Sequence, residues 1–145
     1  MRLLLQRVTS ASVSVGGAEI AAISGGILVL AGVEWGDDAA TAAKAAAKVS
    51  ELRIFSDQSG RMNLSAETTG AAFLVVPNFT LAASVARGRR PSFDKAAPGE
   101  VANPVLDTLV SLLRARGFTV ATGPFGAHME VKLVNDGPVT FVVEI

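Results

Sequence analysis

Two short segments carry the residue types and spacings most suited to chemistry. The first is Pro77-Asn78-Phe79-Thr80-Leu81, which directly follows the apolar run Ala71 to Val76. Polar groups at the end of a buried strand are held by the strand and exposed by the loop, a frequent arrangement in active sites. An amide and a hydroxyl there could position a substrate or polarise a carbonyl. The same residues equally suit an ordinary strand exit with Thr80 in a side-chain turn. The second segment is Asn135-Asp136-Gly137-Pro138-Val139-Thr140, set between two apolar stretches. Its composition is strong turn chemistry and predicts a hairpin.

Other catalytic signatures are missing. The chain has one histidine, His128, no cysteine and no carboxylates at metal-ligand spacing, so neither a metal nor a cofactor is expected. His128 alternates with Met129 and Val131 as in a strand, which predicts a partly exposed structural residue rather than a triad member. Gly16-Gly17 and Gly25-Gly26 flank strands and open no helix, so they form no phosphate loop.

The elements that must position these residues are legible from periodicity. Leu3, Leu5 and Val8 begin a strand, and 11–15 alternate with period two. Gly16-Gly17 turns the chain into a strand over 18–21, and Gly25-Gly26 leads to the unbroken apolar run 27–33, typical of a strand covered on both faces. Asp37 or Asp38 can cap an alanine-rich helix from about Ala39 to Leu52. A short strand follows at 53–55. A second helix is predicted from about Ala102 to Arg116, with Asn103 and Pro104 near its start and Gly117 as its stop. Strands over 118–121, 128–134 and 139–144 close the chain. The reading is a single α+β domain, residues 1–145, with many strands and two packed helices.

The 145 residues are half hydrophobic and 18% charged, enough for a real core. No apolar run reaches the roughly 18 residues of a membrane span. The N-terminal apolar run meets Gln6 and Arg7 and reads as a strand, not a signal peptide. With zero cysteines, a cytoplasmic protein with no membrane partner is expected. Thirteen basic and thirteen acidic side chains give zero net charge, which disfavours a grip on a long duplex. Contact with one end of an RNA stays open, because Arg87, Arg89, Arg90 and Lys95 crowd one stretch. On charge pattern alone they also suit a solvated loop.

Taken together, these segments resemble the D-aminoacyl-tRNA deacylase family along nearly the whole chain. The resemblance rests on Gln6-Arg7-Val8 and Ala11-Ser12-Val13, on Arg53-Ile54-Phe55-Ser56-Asp57 with Gly60 and Met62-Asn63-Leu64, and on Phe79-Thr80-Leu81-Ala82-Ala83 followed by 87–93. Its most specific part is Phe125-Gly126-Ala127-His128-Met129 with 133–140. The family implies a barrel-like, mostly antiparallel sheet and a homodimer with active sites at the interface. Its substrate would be aminoacyl-tRNA, held by the acceptor end and terminal adenosine.

The family's Gly-Pro corresponds to Gly137 and Pro138, joined by a cis bond in that family and projecting carbonyls into the partner's pocket. Arg7 resembles the arginine that holds this turn. The resemblance assigns Thr80 and Phe79 to the catalytic position, with Thr80 positioning substrate. It places Asn78 and Pro77 in substrate contact, Phe125 and Met129 at the adenosine, and Arg87, Arg89 and Arg90 at the acceptor-stem phosphates. One departure stands out: Pro77-Asn78 replaces the usual Ser-Gln, shortening the amide and removing a hydroxyl and a backbone donor. Proline here is similar to an animal branch acting on misplaced L-alanine, whereas Arg7 and the complete 135–140 motif are those of the D-specific branch. Two other classes suit the same residues: a non-catalytic ligand- or RNA-binding module, and an esterase or amidase of small molecules.

Overall fold

In a computed structural model of the chain, residues 1–86 and 88–145 are described. Strand β1 (Arg2–Val15) runs unbroken from the start at Leu3, Leu5 and Val8 through the alternating residues 11–15. It turns at Gly16-Gly17 into β2 (Ala18–Ile23), and β3 (Gly26–Gly32) follows. Helix α1 (Ala39–Glu51) starts at Asp38, whose carboxylate accepts the Thr41 N–H at 2.9 Å. That hydrogen bond, more than any other contact, holds the Asp38 carboxyl below the ordinary carboxylate range. The cap therefore stabilises above the ordinary aspartate value and is lost as pH falls through the lowered one. The neighbouring Asp37 is used otherwise, accepting the Met1 amine at 2.8 Å and the Glu34 N–H at 2.7 Å.

A small ribbon, β4 (Phe55–Ser56) with β5 (Met62–Leu64), precedes the one-turn helix α2 (Ala66–Thr69). Four residues have no periodicity to read, which is why α2 escapes sequence analysis. Strand β6 (Ala72–Pro77) runs into a 3-10 turn at Phe79–Ala82. Helix α3 (Gly99–Ala115) begins three residues earlier than predicted, after Pro98. Pro104 therefore lies inside the helix, where its missing N–H removes one backbone bond. Strands β7 (Val120–Thr122) and β8 (Glu130–Glu144) complete the chain.

β1 organises the sheet. One of its edges pairs antiparallel with β3 through its first half and with β2 through its second; the other edge pairs antiparallel with β8. β3–β6 and β6–β7 are parallel, and β2 comes to lie against β6 and β7. The result is the α+β class with a nearly closed, barrel-like sheet, mixed in direction.

Alternation along the strands separates two cores. Leu3, Leu5, Ile27, Val29, Phe73 and Val75 face α1 and α3. Leu28, Leu74, Val76, Val8 and Val13 point the other way, into the curl of the sheet. Ala42, Ala45 and Ala46 let α1 approach α3 closely, where Leu109 and Leu113 are fully buried. Truncating either leucine to alanine costs about 2–5 kcal/mol in such cores.

The predicted hairpin at 135–140 does not form. β8 is one strand, and β1 stays paired on both sides of the motif: Gln6 faces Thr140 and Val8 faces Asn135. Residues 136–139 are therefore pushed out of the ladder as a bulge. Turn-rich composition cannot distinguish a reversal from a bulge; only the length of the partner strand does.

Candidate functional site

β6 ends beside β3, with Pro77 paired to Ala31, and the Asn78 N–H then donates to the Ala31 carbonyl at 2.8 Å. This bond carries the sheet's register one residue past the strand and aims the 3-10 turn outward. The Thr80 hydroxyl donates to Asn78 Oδ1 at 2.5 Å. The proton of Thr80 is thereby committed, and the residue itself is exposed. A 3-10 helix leaves its leading N–H groups without partners inside the helix, here those of Phe79 and Thr80.

These residues form one wall of a pocket of about 430 Å³. Phe125 and Met129, from the connection between β7 and β8, form the other. Six residues singled out in the sequence thus meet here: Pro77, Asn78, Phe79, Thr80, Phe125 and Met129. His128, read from sequence as structural, also lines the pocket and is the only ionisable side chain among the described residues to do so. Among the described residues, no group of three or more histidine, cysteine or carboxylate side chains gathers as a metal-binding set.

Sequence reading missed the glycines that give the aromatic and thioether walls their places. A Cβ on Gly123 would stand 2.7 Å from Met129 Sδ, and one on Gly99 would stand 3.0 Å from a Phe125 ring carbon. The available signal was position: Gly99 follows Pro98 and Gly123 precedes Pro124, so neither lies in a glycine-rich turn.

Gly137, Pro138 and Arg7 do not line this pocket; they make a second cluster on the β1–β8 bulge. The Gly137-Pro138 bond is cis. Arg7 is buried at 8% exposure, with Nη1 donating to the Ile54 carbonyl at 2.6 Å. Its Nε reaches the Asp136 carbonyl at 3.2 Å and the Asp136 carboxylate at 3.0 Å. From the other flank, Asn135 accepts the Val139 N–H at 3.1 Å and donates to Gln6 at 2.6 Å, while the Thr140 hydroxyl also reaches Gln6. The bulge is clamped at both ends, and Gly137 and Pro138 are exposed at its tip.

Arg89 and Arg90 are exposed on the loop 84–92, whose ends are joined by the reciprocal Ser84–Ser92 backbone bonds at 2.8 and 2.9 Å. Arg87 lies outside the described residues. No helix among the described residues is long and apolar enough to cross a membrane.

Comparison with known proteins adds the following. A sequence model of the family described as D-Tyr-tRNA(Tyr) deacylase matches residues 4–144. A D-aminoacyl-tRNA deacylase of Thermomicrobium roseum is 56% identical over 140 residues, covering 97% of this chain and 91% of the relative. One from Pelobacter propionicus is 54% identical over 144 residues, covering 99% of each. Among solved structures, a c-Myc DNA unwinding element binding protein aligns with a TM-score of 0.94 at 38% identity, over 100% of this chain and 99% of that one. A probable eukaryotic D-amino acid tRNA deacylase aligns at 0.85 with 18% identity over 99% and 98%, a likeness of fold.

Proposed function

Since the chain belongs to the D-Tyr-tRNA(Tyr) deacylase family, we propose that it hydrolyses the ester of D-aminoacyl-tRNA, and of glycyl-tRNA, as one domain over residues 1–145. The observation that carries this reading is the meeting of Asn78 and Thr80 with Phe125 and Met129 around one pocket. The terminal adenosine fits between the aromatic and thioether walls, and its ester then lies over the 3-10 turn. Water adds to the ester carbonyl carbon. The resulting oxyanion is received by the Phe79 and Thr80 N–H groups, and the ribose 3′-oxygen departs with a proton relayed by the neighbouring 2′-hydroxyl. Such a route needs positioning more than a protein base. Arg89 and Arg90 lie on the loop that would meet the acceptor-stem phosphates, and Arg87 is a further cation of that stretch of sequence.

Chiral selection is assigned to a second copy of the chain. Among the described residues β8 pairs only with β1, and it exposes Val134, Phe141 and Val142, apolar side chains on a free strand edge that a partner would cover. Pairing there brings the clamped Gly137-Pro138 tip to the partner's pocket. Its carbonyls would accept the substrate's α-ammonium, leaving no room for a side chain on the L face. Glycine, having no side chain, enters as well.

The direct test compares D-Tyr-tRNA, L-Tyr-tRNA and Gly-tRNA with the purified protein and no added metal. Loss of the D and glycyl esters with the L ester spared is the expected result, and a terminal 2′-deoxyadenosine should stop it. Equal hydrolysis of a simple amino-acid ester would point instead to a small-molecule esterase. Binding without any turnover would point to a ligand-holding module.

Thr80→Val separates positioning from covalent catalysis. Because the Thr80 proton is held by Asn78, the expected loss in kcat is about 10- to 100-fold, with residual turnover. Trapping of an acyl-Thr80 adduct in the wild type, with no turnover in the variant, would instead make Thr80 the nucleophile.

A further inference from the structure

Trp35 is the one tryptophan of the chain and 63% of it is exposed, yet it does not sit on a loose loop. Its backbone N–H donates to the Lys95 carbonyl at 2.9 Å, and Glu34 forms a backbone bridge with Ala96. The turn behind it is closed by Asp37, which accepts the Glu34 N–H at 2.7 Å. A large aromatic face is thus presented to solvent on a backbone fixed from two sides.

The surroundings connect this face to the pocket. A cavity of about 360 Å³ is bounded by Glu34, Trp35, Asp94 and Lys95. It shares Asp94 and Lys95 with a second cavity of about 320 Å³ under the loop 84–92. Phe93, between Ser92 and Asp94, is 41% exposed and leans on Phe79 with ring centroids 5.1 Å apart. Phe79 in turn lines the candidate active pocket. Exposed rings at Phe79 and Phe93 thus continue from the pocket to the 93–95 segment, to which Trp35 is bonded through the Lys95 carbonyl.

The cation placed to meet an anion-bearing chain here is Lys95. Lys95 pairs with no carboxylate among the described residues. Glu34 faces the Met1 amine at 3.6 Å and Arg2 at 3.5 Å, and Asp94 accepts the Ser92 hydroxyl at 2.5 Å. Aromatic faces interleaved with unpaired cations are how proteins hold single-stranded nucleic acid: bases stack on the rings while the backbone follows the charge. A protein partner would more often bury its aromatic anchors in an apolar patch.

We propose that Trp35 and Lys95, reached by way of Phe93, form a stacking platform for the unpaired nucleotides that precede the terminal adenosine of the RNA substrate. This rests on the function proposed above and extends its site beyond one nucleotide. The platform lengthens the bound segment without touching the reacting ester, so it acts on substrate binding and leaves the chemical step alone.

The lone tryptophan makes the test direct. Emission of the full-length wild-type protein is titrated with the uncharged ribotrinucleotide CCA and with adenosine 5′-monophosphate. Saturable quenching by the trinucleotide, with little by the mononucleotide, is expected. In parallel, Trp35→Ala and Lys95→Ala are assayed on D-Tyr-tRNA and on the truncated substrate D-Tyr-adenosine. KM for the tRNA should rise about tenfold in Trp35→Ala with kcat kept, while the truncated substrate is hydrolysed as by wild type. Equal KM values for wild type and both variants on tRNA, or no quenching by CCA, overturn the platform and leave the deacylase reading standing. Failure of the wild type to hydrolyse either substrate overturns that reading, and the platform with it. Emission that shifts on protein dilution and ignores RNA would assign Trp35 to a contact between copies, which also overturns the proposal.

Discussion

Replacing Gly137 with alanine is expected to lower kcat/KM on D-Tyr-tRNA by about 100-fold while the protein stays folded, because it moves the tip of the bulge and little else. Gly137 has φ +134, a region that L side chains rarely adopt. An added Cβ would stand 2.8 Å from the Val139 nitrogen and 2.7 Å from its Cγ2, with Arg7 Nη2 at 3.4 Å. None of these neighbours is free to retreat. The Val139 N–H is bonded to Asn135, and Arg7 is held by Ile54 and Asp136. The backbone of the tip must shift instead, and with it the carbonyls proposed to receive the substrate ammonium. Steady-state kinetics on D- and L-Tyr-tRNA, with a melting curve as control, checks this. A variant with unchanged rate and unchanged sparing of the L ester would remove the bulge from the selection mechanism.

Arg7→Ala should act through the same bulge from below and should also cost stability. The guanidinium donates to two carbonyls, those of Ile54 and Asp136, and neutralises the Asp136 carboxylate. Asp136 is about half exposed, so its ion pair contributes modestly. The larger loss comes from the buried Ile54 carbonyl, left without its donor. A destabilisation of about 2 kcal/mol is expected, roughly 6 °C in Tm for a chain of this size. Because Arg7 is the link between the bulge and the 53–55 segment, L-Tyr-tRNA should also begin to be hydrolysed as the tip loosens. Arg7→Lys should keep one bond and the charge but lose the fork, giving an intermediate result. Calorimetry and the D/L rate ratio together test the point. A stability loss with an intact ratio would make Arg7 purely structural.

Local chemistry determined much that is visible in this chain. The unbroken apolar run of β3 required a strand covered on both faces, and its successive residues do enter different cores. A helix start at Asp37 or Asp38 was readable, and the structure chose Asp38. The order of motifs from Gln6-Arg7 to 135–140 was enough to mark the family. The candidate site residues could also be named, because polar groups at the end of an apolar strand and an Asn-Asp-Gly-Pro run are unusual locally.

What each segment does relative to the others was decided by tertiary structure. Pairing distant in sequence turned the 135–140 motif into a bulge, since β1 is long enough to stay paired on both sides of it. A hairpin and a bulge use the same residues; the partner strand chooses. Parallel pairing of β6 with β3 carried Asn78 to Ala31 and set the 3-10 turn, a pairing that no local pattern encodes. The pocket joined residues 77–80 with 125–129 only because Gly99 and Gly123 leave space for Phe125 and Met129, a three-dimensional requirement. The same folding left Gly137, Pro138 and Arg7 apart from that pocket within one chain. Sequence can name groups because their chemistry is local, but a distance between groups far apart in the chain exists only once the sheet has closed.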